Sequence, residues 1–114
     1  MHSILIIEDD VDQLDVLSYL LEDAGYSTRC ARNGKEALDI LRVPPRPAMI
    51  LLDLNLPVMN GWQFLSEKRN DSSLVKVPVV VISGTNTERP QGAAAILRKP
   101  ISATVLLRLV GVYC

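Results

Sequence analysis

The chain has 114 residues, 48% of them apolar, and a net charge of −1 from 12 basic and 13 acidic side chains. A chain of this length folds as one domain with a substantial core, which we place at residues 1–114. The near-neutral charge offers no basic field for nucleic acid and no polybasic patch for a membrane surface. The apolar run near the N-terminus is too short for a signal peptide or a spanning helix, so we expect a soluble, cytoplasmic protein.

The first part of the chain alternates strand and helix patterns. Ser3–Ile7 is rich in Ile and Leu and is followed by acids, the pattern of a buried strand that ends in charge. Asp10 is the expected N-cap of a first helix, and Gly25 is its expected C-terminal cap. A weaker strand pattern covers Ser27–Ala31. Asn33 is the expected N-cap of a second helix, which ends before a proline-rich segment.

A third strand is predicted at Met49–Asp53, where an apolar run stops at one carboxylate. Strands of parallel sheets are buried on both faces and therefore show continuous apolar residues. Because the carboxyl ends of such strands open onto a crevice where ligands bind, Asp53 is the central candidate for a functional site. A third helix is predicted to start at an Asn60 cap, with Trp62 and Phe64 among its packing residues.

The last third of the chain carries two more strand patterns and one helix pattern. Lys76–Ile82 predicts a fourth buried strand, and Ala93–Leu97 predicts a short fifth strand. Residues 84–92 between them are polar and have no apolar period, so the fourth helix is expected to be short or irregular. Ser102 is the expected cap of a strongly apolar last helix. The alternation predicts an α/β fold, a doubly wound five-stranded parallel sheet flanked by helices.

Polar side chains follow four of the predicted strands. They are Glu8 and Asp9 after the first strand, Asp53 at the end of the third, Ser83 after the fourth and Lys99 after the fifth. In a doubly wound sheet these strand ends meet at one crevice. Carboxylates held together repel one another, and a hard divalent cation such as Mg²⁺ relieves that repulsion. With a lysine and a hydroxyl nearby, a carboxylate can attack a phosphoryl group and form an aspartyl phosphate.

Four segments of the chain carry a resemblance to a known family. They are ILIIEDD, ILLDLNLPVMNGWQFL, VPVVVISG and LRKPI, in this order and over essentially the whole chain. Together they resemble the receiver domain of two-component response regulators. The resemblance implies a flavodoxin-like receiver fold. It also implies that Asp53 accepts a phosphoryl group from a histidine kinase or a histidine phosphotransfer protein.

The resemblance further implies the ligands of the metal. Asp9 and Asp53 would bind Mg²⁺ directly, together with the backbone carbonyl of Asn55. Glu8 would act on the metal through water. These roles are transferred from the family position by position, onto residues that match its motifs.

The resemblance also assigns the groups that contact the phosphoryl group, and it exposes two departures from the family. Ser83 would hydrogen-bond the phosphoryl group, and Lys99 would pair with it, with a cis bond between Lys99 and Pro100. Ile96 stands where the family usually has a Tyr or Phe whose rotation reports phosphorylation. The segment 83–99 is also shorter than in typical receivers. The signal is therefore expected to leave by another surface, such as the apolar last helix packing against a partner or a second copy.

Two other protein classes fit this pattern less well. Phosphatases of the haloacid dehalogenase type also use a strand-end Asp with Mg²⁺, but they need a second Asp where this chain has Asn55. A dinucleotide-binding fold would need G-x-G-x-x-G after the first strand, and this sequence lacks it. A receiver-like interaction module, regulated by binding with little or no phosphorylation, stays open as the alternative. Ile96 and the shortened segment favour that alternative, whereas the complete acidic site opposes it.

The sequence thus predicts a phosphoacceptor receiver domain with Mg²⁺ as its cofactor. Its expected chemistry is limited to its own phosphorylation and slow dephosphorylation, so it is not expected to be an enzyme for other substrates. The expected partners are the phosphohistidine donor and an unknown downstream protein, without nucleic acid or membrane. The sole histidine, His2, is predicted to be solvated because it is the second residue.

Overall fold

The computed structural model describes residues 3–84 and 88–114. His2 and part of the polar 84–92 segment, for which predictions were made, lie outside these residues. The elements in chain order are β1 (Ser3–Ile7), α1 (Val11–Asp23), β2 (Ser27–Ala31), α2 (Gly34–Leu41), β3 (Met49–Asp53), α3 (Gly61–Arg69), β4 (Val79–Ser83), β5 (Ala95–Arg98) and α4 (Ala103–Tyr113). Within the described ranges, no helix is long and apolar enough to cross a membrane.

The five strands form one parallel sheet in the order β2-β1-β3-β4-β5. The strand order reverses between β1 and β3, which is the point where doubly wound sheets open a crevice for ligands. Ile7 of β1 is paired with Leu52 of β3, so the residues that follow them lie side by side. This topology confirms the predicted doubly wound fold and brings the first and third strand ends together.

Two apolar cores lie on the two faces of the sheet. Successive residues of a strand point to opposite faces, so Leu5 belongs to one core and Ile6 to the other. Helices α2 and α3 cover the first core, and α1 and α4 cover the second. All five residues of β3 and of β4 are buried. Burial on both faces explains why these strands read as continuous apolar runs.

The predicted helix caps are present. Side chains at the four helix starts accept hydrogen bonds from backbone N–H groups of the first turn: Asp10, Asn33, Asn60 and Ser102. Gly25 follows α1 with a φ of 99°, a left-handed conformation that favours glycine. The packing prediction for α3 is half right, because Phe64 is fully buried whereas Trp62 is 47% exposed.

Two strands start later than predicted. The fourth strand begins at Val79 and not at Lys76, because the N–H of Val77 donates to the carbonyl of Leu74 in a turn, at 3.2 Å. The fifth strand begins at Ala95 and not at Ala93, because the N–H of Ala93 donates to the carbonyl of Pro90 in another turn, at 3.1 Å. Both strands also extend one residue further than predicted.

The connection from β4 to β5 contains no helix among its described residues, 84 and 88–94. Gly92 in this connection lies against α3, where an added Cβ would come within 3.2 Å of Cδ of Arg69. At its other end, the hydroxyl of Tyr113 in the last turn of α4 donates to the carbonyl of Ala94, at 3.3 Å. The described residues therefore agree with the expectation that the helix between β4 and β5 is short or irregular.

Candidate functional site

The ends of four strands meet at one edge of the sheet. Glu8 and Asp9 follow β1, Asp53 is the last residue of β3, Ser83 is the last residue of β4, and Lys99 follows β5. Of these, Glu8, Asp53 and Ser83 are buried. Strand ends are rigid positions, so the fold holds the side chains of this edge in fixed places.

Asp53 lies at the centre of this edge and is held at both carboxylate oxygens. The residue is only 4% exposed. The ammonium of Lys99 donates to Oδ2 at 3.1 Å. The backbone N–H of Asn55 donates to Oδ1 at 2.9 Å. Because both oxygens are held, a reacting group can approach the carboxylate of Asp53 only from a defined direction.

The three acids form a cluster of oxygen donors. One carboxylate oxygen from each of Glu8, Asp9 and Asp53 lies within 4.8 Å of the other two. Glu8 is 2% exposed, and its Oε2 atom is buried without a hydrogen-bond partner among the residues described. Buried polar atoms are normally satisfied, so an orphaned carboxylate oxygen points to a missing ligand. An all-oxygen donor set of this kind fits a hard divalent cation.

Glu8 has a strongly perturbed acidity. Burial is the main factor that raises its pKa to about 8, and the hydrogen bond to Asp53 and the negative charge of that residue act in the same direction. The ammonium of Lys99 acts in the opposite direction but does not outweigh them. Without a cation, Glu8 therefore holds a proton near neutral pH.

Asp53 is shifted the other way. Burial alone would raise its pKa. The hydrogen bond from Glu8, the N–H of Asn55 and the ammonium of Lys99 outweigh burial and hold the pKa of Asp53 below its usual value. Adjacent carboxyl groups whose pKa values are pushed apart have distinct chemical roles. Asp53 is thus the ionised carboxylate of the pair, which is the form that can attack an electrophile.

The chain is similar to a known protein family over most of its length. Residues 4–110 match the response regulator receiver domain. The chain belongs to this family. The match covers the five strands, apart from the first residue of β1, and most of the last helix, so the resemblance predicted from the four sequence segments is confirmed.

Individual relatives cover nearly the whole receiver domain. The polar-differentiation response regulator DivK of Brucella anthropi is 32% identical over 117 residues, which span 97% of this chain and 94% of that protein. A solved receiver domain of a signal transduction histidine kinase from Syntrophus aciditrophicus is 30% identical, with a TM-score of 0.88 over 99% of this chain and 89% of that one. The chemotaxis response regulator CheY4 of Vibrio cholerae is 28% identical, with a TM-score of 0.89 over 100% of this chain and 99% of that one.

Three further predicted site residues, Ser83, Lys99 and Asn55, contact one another or Asp53 through backbone groups. The backbone carbonyl of Ser83 accepts a hydrogen bond from the N–H of Lys99 at 2.9 Å, which ties the fourth strand end to the fifth. The Lys99–Pro100 peptide bond is cis, as predicted. Asn55 is exposed and contacts Asp53 through its backbone N–H. The roles of Ser83 and Asn55 toward a phosphoryl group or a metal stay predictions.

Ile96 is the residue at which the sequence was expected to depart from the aromatic switch of the receiver family. Ile96 lies on β5 and is partly buried against the core that α2 and α3 cover. An isoleucine has neither a ring that can rotate between two positions nor a hydroxyl that can be exposed. The packing of Ile96 therefore gives this receiver an aliphatic contact at a position where the resemblance led us to expect an aromatic residue.

The sequence pattern missed the contacts that hold the loop between β3 and α3. The N–H of Gly34 donates to the carbonyl of Met59 at 3.1 Å, and the N–H of Gly61 donates to the carbonyl of Leu54 at 3.0 Å. An added Cβ on Gly61 would come within 2.7 Å of Cα of Leu54. The only sequence signal was that α2 and α3 both start with an Asn-Gly pair. Neither pair reveals by itself which backbone it touches.

Proposed function

We propose that this receiver domain accepts a phosphoryl group on Asp53 from a phosphohistidine donor and passes the signal on by protein contact. The observation that carries the proposal is the position of Asp53, ionised and buried, between the ammonium of Lys99 at 3.1 Å and the carboxyl groups of Glu8 and Asp9. A lone buried carboxylate would be costly. A buried carboxylate that is held between a cation and further acids is typical of a functional site.

In the proposed reaction, a carboxylate oxygen of Asp53 attacks the phosphorus of a phosphohistidine. The new oxygen–phosphorus bond makes an aspartyl phosphate, the nitrogen–phosphorus bond breaks, and its electron pair stays on the imidazole of the donor. Lys99 already lies against Asp53 and can follow the developing negative charge onto the phosphoryl oxygens. The hydroxyl of Ser83 is proposed to hydrogen-bond the same oxygens.

The acidic cluster is proposed to hold Mg²⁺. Asp9, Asp53 and the backbone carbonyl of Asn55 are the proposed direct ligands, with Glu8 acting through water. When bound, Mg²⁺ supplies positive charge that neutralises the transferring phosphoryl group. The orphaned Oε2 atom of Glu8 and the close approach of three carboxylates support this assignment.

The proposed partners are a histidine kinase or histidine phosphotransfer protein as donor and a downstream protein as receiver of the signal, in the cytoplasm. The chemistry of the domain is proposed to be limited to its own phosphorylation and slow dephosphorylation. A second candidate function, an interaction module with little or no phosphorylation, is favoured by the aliphatic contact of Ile96. The two candidates differ in whether Asp53 becomes phosphorylated.

The deciding experiment measures intact-protein mass after incubation with Mg²⁺ and a small acyl phosphate, and separately with a histidine kinase. The wild type should gain the mass of one phosphate only when Mg²⁺ is present, and Asp53→Asn should gain none. Asp10→Asn is the matched control, because it changes an exposed acid near the site into an equally good N-cap residue. A folded wild type that gains no phosphate from either donor would favour the interaction module.

A further inference from the structure

The loop between β3 and α3 is fixed by contacts that start outside the acidic site. Residues 54–60 form this loop, which contains Asn55. Next to Asp53, the loop is held by the hydrogen bond from the N–H of Asn55 to Oδ1. At its far end, the carbonyl of Met59 accepts the N–H of Gly34 from the first turn of α2, at 3.1 Å. Helix α2 thus holds a loop whose other end contacts Asp53.

The loop contains a backbone conformation that needs such support. Val58 has a φ of 66°, which is uncommon for any residue with a side chain and unfavourable for a β-branched one. The N–H of Met59 donates to the carbonyl of Pro57 at 2.7 Å, so Val58 is the centre of a tight three-residue turn. The side chain of Val58 is 79% exposed and contributes little packing to hold this turn. The surrounding structure must hold the turn instead.

Gly34 is the residue of α2 that contacts this turn, and it has no room for a side chain. An added Cβ would lie 2.9 Å from Cγ of Met59, 2.9 Å from its carbonyl oxygen and 3.0 Å from Sδ. Real Cβ atoms essentially never come closer than 3.0 Å to another group, so either Met59 or the start of α2 would have to move. Gly34 is therefore required by close approach of the two backbones, not by an unusual φ.

We infer that Gly34 is a positioning residue for the phosphoacceptor site. By holding the carbonyl of Met59, it keeps the loop against α2 and thereby keeps Asn55 in place beside Asp53. The inference rests on the proposed function, because it concerns Mg²⁺ binding and phosphoryl transfer at that same site. Gly34 thus acts on the site, although its helix, α2, contributes no side chain to the site.

The test compares Gly34→Ala with wild type by calorimetric titration of Mg²⁺ and by the rate of phosphorylation from a small acyl phosphate. A displacement of a few tenths of an ångström in the loop should weaken Mg²⁺ binding about tenfold and slow phosphorylation by about the same factor. Gly111→Ala is the matched control. Gly111 lies inside α4 with nothing within 4 Å of an added Cβ, so the same change there should leave both quantities unaltered.

A second pair of variants separates the loop contact from a general loss of stability. Gly34→Ala/Met59→Ala removes the Cγ and Sδ contacts but leaves the carbonyl contact, so it should recover part of the lost Mg²⁺ affinity. If Gly34→Ala does not fold, the double variant is compared with Met59→Ala, and Mg²⁺ binding should still be weaker in the double variant. A folded Gly34→Ala within about twofold of wild type in both quantities would overturn the inference.

The outcomes also separate this inference from the proposed function. Phosphorylation of wild type with no effect of Gly34→Ala would overturn only the positioning role. Mg²⁺ binding without phosphorylation in wild type would overturn the proposed function, while the effect of Gly34→Ala on Mg²⁺ affinity would still support the positioning role. A wild type that binds no Mg²⁺ would overturn both.

Discussion

Lys68 is a buried lysine on α3, and its replacement by methionine should stabilise the protein. Its side chain is 3% exposed, and its ammonium donates to the carbonyl of Val75 at 3.3 Å. Burial lowers the pKa of Lys68, which means that the folded state disfavours its charged form. Methionine has a similar length and no charge, so Lys68→Met keeps the packing of the stem and removes the buried charge.

The size of the effect follows from two opposing contributions. Removing the buried charge should gain a few kcal/mol, of the order seen when buried ionic groups are replaced by apolar ones. Losing a hydrogen bond from a charged donor should cost about 1.5–3 kcal/mol. We expect Lys68→Met to raise the free energy of unfolding by about 1 kcal/mol, which is about 4 °C in Tm for a domain of this size.

The same reasoning predicts a pH dependence. A lysine whose pKa is lower in the folded state destabilises the fold at pH values below that pKa. Between the lowered pKa of Lys68 in the folded state and its unfolded value of about 10.4, the unfolded protein binds more protons than the folded protein. The stability of the wild type therefore increases as pH rises through that window. The advantage of Lys68→Met should therefore be largest near pH 7 and should shrink toward about pH 10.

Urea denaturation followed by circular dichroism at both pH values measures this difference. Lys76→Met serves as the control, because Lys76 is exposed and its replacement should change stability little at either pH. A Lys68→Met protein that is clearly less stable than wild type near pH 7 would refute the reasoning. So would a stability difference that does not change with pH.

Three further predictions concern the site and its loop. The raised pKa of Glu8 means that the folded state binds the extra proton between about pH 4.5 and about pH 8, so metal-free wild type should lose stability as pH rises through that range. Glu8→Gln should not show this loss and should be more stable than wild type by several kcal/mol well above pH 8 in chelator, as measured by urea denaturation. Lys99→Met removes the cation beside Asp53 and should therefore raise the pKa of Asp53. Phosphorylation, measured by intact-protein mass, should be about 100-fold slower, and Mg²⁺ binding, measured by calorimetry, should be stronger. An unchanged phosphorylation rate and an unchanged Mg²⁺ affinity would contradict this prediction. Val58→Gly should stabilise the protein by about 1 kcal/mol, because glycine adopts a φ of 66° without strain, and an unchanged urea midpoint would argue against strain at Val58.

The sheet and the grouping of the acids could be predicted because they depend on simple periodicity. A strand buried on both faces reads as an apolar run, and its carboxyl end falls where the run stops, as at Asp53. Once several such ends are known, the topology of a parallel sheet brings them to one edge. The prediction that Glu8 and Asp9 approach Asp53 therefore needed only local patterns and one rule about sheets.

Features that depend on contacts between distant segments could not be predicted in this way. The burial of Lys68 is invisible in the sequence, because a lysine on a helix usually lies in solvent. The contact of Gly34 with Met59 joins the first turn of α2 to the loop between β3 and α3 through backbone atoms, which no side-chain pattern encodes. The sequence places the start of β4 too early because Val77 continues the β-branched pattern of the strand, whereas the turn hydrogen bond from Val77 to Leu74 decides the boundary.

The half-exposed side chain of Trp62 gives this protein a built-in optical reporter. It is the sole tryptophan, and it lies in the first turn of α3, directly after the loop that Gly34 supports. Its fluorescence therefore comes from one place, and changes in that loop can be followed in real time without a label. Because the indole is already 47% exposed in the native state, its emission should shift little on unfolding. Fluorescence is thus suited to following ligand binding at the site, and less suited to following denaturation.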